Sequence, residues 1–492
     1  MPAADPSLLS LTATEAVALL KSRAVSSLEL VEASIARIEQ VEPQVNAMPI
    51  TCFERAREQA RRQDATQAGA GAQGGTMLAG LPMSVKDLDE VAGVRHTNGG
   101  SVVFEDHVPT RSSPMVEILE GNGAVTMGKS NSPEFGFNAN TINALFGPTR
   151  NPYDTSRTAA GSSGGAAVSV ATGEVWMATG SDLGSSIRLP AAYNSVVGLR
   201  PSPGRVPRGR KGMPFNTLAV LGPIARTVGD TALMLDAMVG ECRTDPLTLP
   251  VVPGQFAQAA ASRQAPRRIG FSPDLGVTPV DPEIAGVVEA AALRFREAGI
   301  PVELEAPDLS NGVEVFHAIR GVNHLANMGP LCERFGDRMI PEIHYSVQRA
   351  AQLPITRYAW GERERAQMFL RMMAFFDNFD LLVCPTGIME PFPAEWRRVD
   401  TLHDHEFEAY IDWIAITYTI SLLGCPSISV PCGFNRNGLP VGLQLVGRPR
   451  GEAELLAAAQ IFEDIAGALG RLPVDPQGPR GPYQGGATCR QQ

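Results

Sequence analysis

Two short runs of small residues have the composition for nucleophilic chemistry. Gly161-Ser162-Ser163-Gly164-Gly165 and Gly184-Ser185-Ser186 each set adjacent serines among glycines. Glycine lets the backbone approach a reacting atom closely, so N–H groups in such turns can meet a carbonyl oxygen. Between the runs lies an apolar, small-residue segment; Val168, Val170, Val175, Trp176 and Met177 are too apolar for a solvated Gly/Ser linker. A serine nucleophile needs a base, and no histidine is near either run in sequence. Lys86 is the better candidate, because it follows the apolar stretch Leu78–Val85. Burial disfavours the ammonium form, which makes a neutral amine base feasible. A surface pairing of Lys86 with Asp87 or Glu90 explains the same residues equally well.

Two other motifs compete for attention. Gly123 to Ser130 (GAVTMGKS) satisfies the P-loop pattern, but its mechanism needs a strand, a glycine loop and then a helix. Here an apolar strand, Ala124–Met127, falls inside the motif and Pro133 follows it closely, so a strand and polar turn is the expectation. Gly161-Ser162-Ser163-Gly164-Gly165 also fits the nucleophile elbow of an α/β-hydrolase-type esterase, with Ser163 as nucleophile and Asp380 and His403 or His405 completing a triad. The preceding RNPYDTSRTAA is not the apolar strand that an elbow needs.

The elements that must position these residues alternate between helix and strand. Capping boxes at Thr12-x-x-Glu15 and Ser26-x-x-Glu29 open two helices, and a third runs from Phe53 to Gln63. Residues 66–76 read as a loop. Strands are expected at Leu78–Val85, Ala124–Met127, Trp176–Thr179, Arg268–Phe271, Val302–Leu304, Leu381–Cys384, Ser427–Val430 and Val441–Val446. Helices are expected at Ser113–Gly121, Ile187–Tyr193, Thr227–Met238, Pro282–Ala298, through 310–375, at 406–423 and at 452–468. The interleaving predicts one large α/β domain over residues 1–473. The Pro/Gly/Gln-rich tail 474–492 is expected to be disordered.

Around the serine runs the chain resembles the amidase signature family of serine amidohydrolases. The motifs are GLPMSVKDL at 80–88, FGPTRNPYD at 146–154, AAGSSGGAAVSVATG at 159–173 and GSDLGSSIRLPA at 180–191, with GCPSISVPCGF and GLPVGLQLVGR near the C-terminus. The resemblance implies a central mixed β-sheet flanked by helices on both faces. It implies a Ser-cisSer-Lys triad, with Lys86 as general base, Ser162 as the bridging serine after a cis peptide, and Ser186 as the acyl-forming nucleophile. The family's interval of 24 residues selects Ser162 over Ser163 and Ser186 over Ser185. It further implies an oxyanion hole from the backbone N–H groups of Leu183, Gly184, Ser185 and Ser186, with Ser163, Asp182 and Arg188 in support. The family usually has glycine where this chain has Ser185, and a side chain there restricts φ and is expected to narrow the space near the acyl group.

The resemblance also implies hydrolysis of carboxylic amides, esters or carbamates (an amidase or urethanase) without a cofactor. The glutaminase component of a tRNA-dependent amidotransferase, its A subunit, is the alternative with the same core. The segment 310–400 holds Phe316, Trp360, Met368, Phe369, Met372, Met373, Phe375 and Phe376. Helix packing is the first expectation for them; lining an aryl or acyl pocket, with Phe135 and Phe137, is the second.

Composition narrows the field further. A net charge of −10 argues against a nucleic-acid footprint. Seven cysteines with no C-x-x-C pair read as reduced thiols in the cytoplasm. No apolar run reaches the length of a membrane span. The histidines include no zinc motif, and His403/His405 fall in a polar loop, so no metal is expected. The expected partner is a small amide or carbamate, bound by a monomer or homodimer. Only Lys21, Lys86, Lys129 and Lys211 are lysines, against 38 arginines. Each lysine therefore merits attention.

Overall fold

The computed structural model describes residues 6–69, 75–209, 212–467 and 472–490. Its centre is an 11-stranded sheet. In chain order the strands are β1 (Ile50–Thr51), β2 (Pro82–Lys86), β3 (Val125–Ser130), β4 (Met177–Asp182), β5 (Val197–Arg200) and β6 (Val220–Ala225). They continue with β7 (Ile269–Phe271), β8 (Val302–Leu304), β9 (Leu381–Pro385), β10 (Ser427–Phe434) and β11 (Pro440–Val446). The spatial order is β1-β3-β2-β4-β6-β5-β10-β11-β9-β7-β8. Strand β2 runs parallel to both neighbours, β3 and β4, whereas β4 to β9 are joined antiparallel, so the sheet is mixed.

Alternation along the strands buries both faces, as a helix-covered sheet requires. Leu381 and Val383 join one core cluster; Leu382 and Cys384 join another on the opposite face. Met177 and Ala178 divide in the same way. This is the α/β domain, with helices on both faces of a mixed sheet, that the alternation of elements predicts.

Several boundaries differ from the sequence expectation. Leu78–Gly80 are a turn rather than the start of β2, because Ala79 and Gly80 take positive φ values of 56° and 99°. The helix expected over 406–423 is confined to Ala415–Leu422. His405–Glu406 instead pairs antiparallel with Thr401–Leu402. The loop expected at 66–76 begins later, since the helix runs from Phe53 to Gly69; residues 70–74 lie outside the described set. The tail, expected to be disordered, makes defined contacts over its described residues. The Val474 N–H donates to Ala171 O, Asp475 accepts from Arg37 at 2.7 Å, and Ala487–Thr488 adds a strand to Thr401–Leu402. Pairing with a polar edge strand needs few apolar residues, which a compositional reading overlooks.

Candidate active site

Lys86 is the last residue of β2 and lies at the middle of the parallel set β3-β2-β4. Its backbone N–H donates to Thr179 Oγ1 at 2.9 Å, and its side chain is fully buried. Nζ lies 2.6 Å from Ser162 Oγ, 2.8 Å from Ser163 Oγ and 3.0 Å from Ser181 Oγ. The surface-pair reading of Lys86 therefore fails. Asp87 points away to a second buried lysine, Lys129, whose Nζ is 2.9 Å from Oδ1, with His96 Nδ1 at 3.1 Å. Burial alone would raise the Asp87 carboxyl; Lys129 and His96 reverse this and hold it well below the usual carboxylate range. Lys129 and its neighbours Gly128 and Ser130 are strand residues in β3, so the P-loop reading has no glycine loop to act through.

The first serine run turns from the preceding loop into helix α1 (Gly164–Ala171). The Gly161–Ser162 peptide is cis. Gly165 is required by close approach, since a Cβ there would sit 2.3 Å from Ala47 O and 2.4 Å from Asn131 N. The second run follows β4 directly and leads into the short helix α2 (Arg188–Tyr193). The two runs are joined by a hydrogen bond from Ser163 N–H to Ser186 O at 3.1 Å.

Asp182 and Arg188 hold the second turn. Arg188 Nε and Nη2 donate to Asp182 at 3.0 and 2.9 Å, and Nη2 also reaches Gly184 O at 2.9 Å. The Ile187 N–H donates to Asp182 Oδ2 at 3.1 Å. Arg188 continues to Gln444 and Ser421, both at 2.7 Å, which ties the turn to β11 and to the helix at 415–422. Burial pushes the Asp182 carboxyl up, but Arg188 and Arg200 outweigh it and bring it down to about 2. Such a bidentate, charge-assisted pair fixes geometry as well as charge. Among the described residues, the backbone N–H groups of Leu183, Gly184, Ser185 and Ser186 donate to no protein acceptor. Oxyanion chemistry needs donors in that condition. Ser185 is fully buried, and its Oγ has no hydrogen-bond partner among the described residues. It does not line the cavity described next, so its side chain does not narrow that space.

Ser162, Ser181, Leu183, Gly184 and Ser186 border one cavity of about 490 Å³, a size ordinary for a small-molecule site. Phe135, Gly136 and Phe137 cover one side. Gly136 (φ 74°) lies over Ser162, where a Cβ would be 3.4 Å from Ser162 Oγ. Glu134, which opens this turn, is buried; burial raises its carboxyl to about 7 against the opposing pull of Ser101 and Arg397. From the 310–400 segment, helix α3 (Gly312–Phe335) supplies Phe316 to the cavity. Met368, Met372, Phe375 and Phe376 are core, and Trp360, Phe369 and Met373 pack against that core. Helix packing therefore accounts for all eight residues, and Phe316, in the same core cluster, lines the cavity as well.

The esterase alternative is not assembled. Ser163 Oγ meets Lys86; Asp380 accepts from Arg267 at 2.8 Å, and His403 Nε2 meets Asp281 at 2.9 Å. Among the described residues, no cluster of three or more His, Cys, Asp or Glu side chains is placed to hold a metal, and no helix is long and apolar enough to cross a membrane.

Three contributors escaped the sequence reading. Ser181 had a usable signal, because strand alternation puts it on the same face of β4 as Thr179, toward Lys86. Arg200, which supports Asp182, carried none. A polar stripe on α3, formed by Arg320, Asn323, His324 and Asn327, faces the cavity and was legible as i, i+3, i+4 and i+7 spacing.

Comparison with known proteins shows the family. A family model described as Amidase matches residues 29–456. The chain belongs to the amidase family. This amidase is 34% identical over 474 residues to an acylamidase of Rhodococcus erythropolis, covering 94% of this chain and 97% of that one. It is 33% identical over 479 residues to the A subunit of the glutamyl-tRNA(Gln) amidotransferase of Moorella thermoacetica, covering 92% and 96%. It superposes with a TM-score of 0.86 on a bacterial aryl acylamidase of the amidase signature enzymes, 32% identical, covering 93% of this chain and 96% of that one. A 6-aminohexanoate cyclic dimer hydrolase, 26% identical, superposes at 0.81 and covers 93% and 97%. The amidase is thus an amide-hydrolysing enzyme of the amidase signature fold.

Proposed function

We propose that this amidase cleaves carboxylic amides, aryl amides foremost, through an acyl-enzyme on Ser186. The observation that carries the reading is a buried Lys86 Nζ at 2.6 Å from Ser162 Oγ, at the edge of a cavity that Ser186 also borders. Lys86, as a neutral amine, takes the Ser162 proton while Ser162 takes that of Ser186. The Ser186 Oγ attacks the carbonyl carbon, and the oxyanion is received by the N–H groups of residues 183–186. One such donor is worth about 3 kcal/mol in related chemistry. The protons then return along the relay to the leaving amine, and the C–N bond breaks. Water attacks the ester by the same route and frees the acid. Ser163, Asp182 and Arg188 position the two turns.

The similarity to a bacterial aryl acylamidase, and Phe135, Phe137 and Phe316 in the cavity wall, support aryl amides. Aryl carbamates and esters fit the same chemistry. Similarity to the glutamyl-tRNA(Gln) amidotransferase component supports a second reading, glutamine hydrolysis within a complex. A panel of anilides, aryl carbamates, glutamine and acetamide, offered to the purified chain alone with Ser186→Ala as control, separates them. Anilide or carbamate turnover that vanishes in the variant is expected. Acetamide as the best substrate contradicts the aryl reading. Glutamine hydrolysis that requires added partner chains favours the second.

A further inference from the structure

The wall of the catalytic cavity contains a cation that the proposed reaction does not use. Arg320, on α3, is 8% exposed. Its Cζ sits 5.7 Å from the ring centres of Phe137 and Phe316 and 5.4 Å from that of Tyr410. Rings placed in this way stabilise a cation and fix the plane of the guanidinium. One donor, Nη2, is used by the Tyr410 hydroxyl at 2.5 Å. Among the described residues no carboxylate lies within ion-pair distance of Arg320. Arginine keeps its charge when buried, and a buried charge without a counter-ion is costly.

The charges around the cavity indicate where a counter-ion fits. Among the described residues the wall contains two carboxylates, Asp89 and Asp182. Asp182 is held by Arg188 and Arg200. Asp89 acts with Asp245 on Arg208, the other described guanidinium of the wall. His324, beside Arg320, adds no charge, because burial and then Arg320 itself push its imidazole well below the usual histidine range. Arg320 also borders a second cavity of about 410 Å³ behind α3, where Glu314, Glu406, Glu408 and Asp412 outnumber the other cations of the lining, Arg349 and Arg357. The balance of charge there disfavours an anion relative to the catalytic side.

We infer that the enzyme selects amides bearing a carboxylate remote from the scissile bond, which Arg320 receives in the catalytic cavity. The inference rests on the proposed amide hydrolysis at Ser186, and its test is read by binding as well as by turnover. Planar guanidinium groups match carboxylates through paired N–H donors. The polar stripe of Asn323, His324 and Asn327 continues from Arg320 along the same helix face and replaces water around the bound group.

Two matched pairs separate the acyl side from the amine side. Succinanilate is compared with pentananilide, and 4-acetamidobenzoate with 4-methylacetanilide. Binding is measured by calorimetry to the Ser186→Ala protein. One carboxylated member is expected to bind about 30-fold more tightly than its neutral partner, the scale of a charged hydrogen bond. Adding Arg320→Met reduces that preference to within about threefold, while Arg320→Lys retains part of it, as expected for a point charge without the fork. Preference for neither acid, or a preference that survives Arg320→Met, overturns the inference. Should the methionine variant not fold, inhibition of the unaltered enzyme by 3-phenylpropionate against 3-phenylpropanol decides, and equal inhibition overturns it. Carboxylate-dependent binding without any anilide turnover would refute the proposed reaction alone; turnover without carboxylate preference would refute this inference alone.

Discussion

Lys86 and Lys129 stand on neighbouring parallel strands, Lys129 opposite Val85, and both are fully buried. They differ in what their ammonium groups meet. Lys129 faces a carboxylate at 2.9 Å, while Lys86 faces three serine hydroxyls. A carboxylate offsets the desolvation of a buried cation; hydroxyls offset much less and can exchange protons with an amine. On the proposed mechanism, one environment makes a structural ion pair and the other a proton acceptor. Burial alone therefore does not distinguish the proposed base from a structural lysine. The partner does.

The largest expected effect tests the Lys86 side. Lys86→Met should lower kcat/KM on an anilide by about 10³-fold or more, the contribution of a positioned general base. The unaltered enzyme should accelerate acyl transfer as pH rises and the Lys86 ammonium gives up its proton; a rate flat with pH counts against a lysine base.

Lys129→Met should act on stability instead. It removes the lysine partner of Asp87, leaving the carboxylate to His96, Thr97 and Gly99, and should cost about 3 kcal/mol of stability in denaturant unfolding. Asp87→Asn added to it should recover much of the loss. A Lys129→Met protein as stable as the parent would erase the distinction between the two lysines.

Asp182→Asn strands Arg188 and Arg200 and should cost about 3 kcal/mol. The folded carboxyl sits at about 2, below its ordinary 3.8. Its contribution is full above the ordinary value and is lost as pH falls through about 2. The variant should therefore lose part of its acid sensitivity between pH 4 and pH 2, read as a smaller fall in unfolding midpoint.

The smallest effect concerns Glu134. Its folded carboxyl, raised from 4.5 to about 7, holds its proton to higher pH than the unfolded chain does. Stability is thus full below about 4.5 and falls as pH rises through 7. Glu134→Gln should flatten that fall, giving closer unfolding midpoints at pH 5 and pH 8 than in the parent.

Much of this contrast was legible in the sequence, and the remainder has identifiable reasons. The apolar run before Lys86 announced a buried strand end, and the serine spacing pointed to two turns. What Lys86 would meet was open, because the choice between Asp87 and the serines depends on which strands neighbour β2. Ser181 and Lys129 come from those neighbours. The 406–423 stretch reads as one helix because nearly every residue from 409 to 423 is buried, which removes the period that would mark its limits. Arg200 reaches Asp182 from a strand two places away in the sheet, and the rings around Arg320 come from distant segments, so the helix spacing marks a polar stripe but not what it meets.

The most direct test of the central claim is covalent labelling by a fluorophosphonate, followed by intact-protein and peptide mass spectrometry. A single adduct on Ser186 is expected, none in Ser186→Ala, labelling slowed by at least about 10²-fold in Lys86→Met, and a near-parental rate in folded Lys129→Met. An adduct that persists in Ser186→Ala, or a Lys86→Met protein labelled as fast as the parent, would contradict that claim.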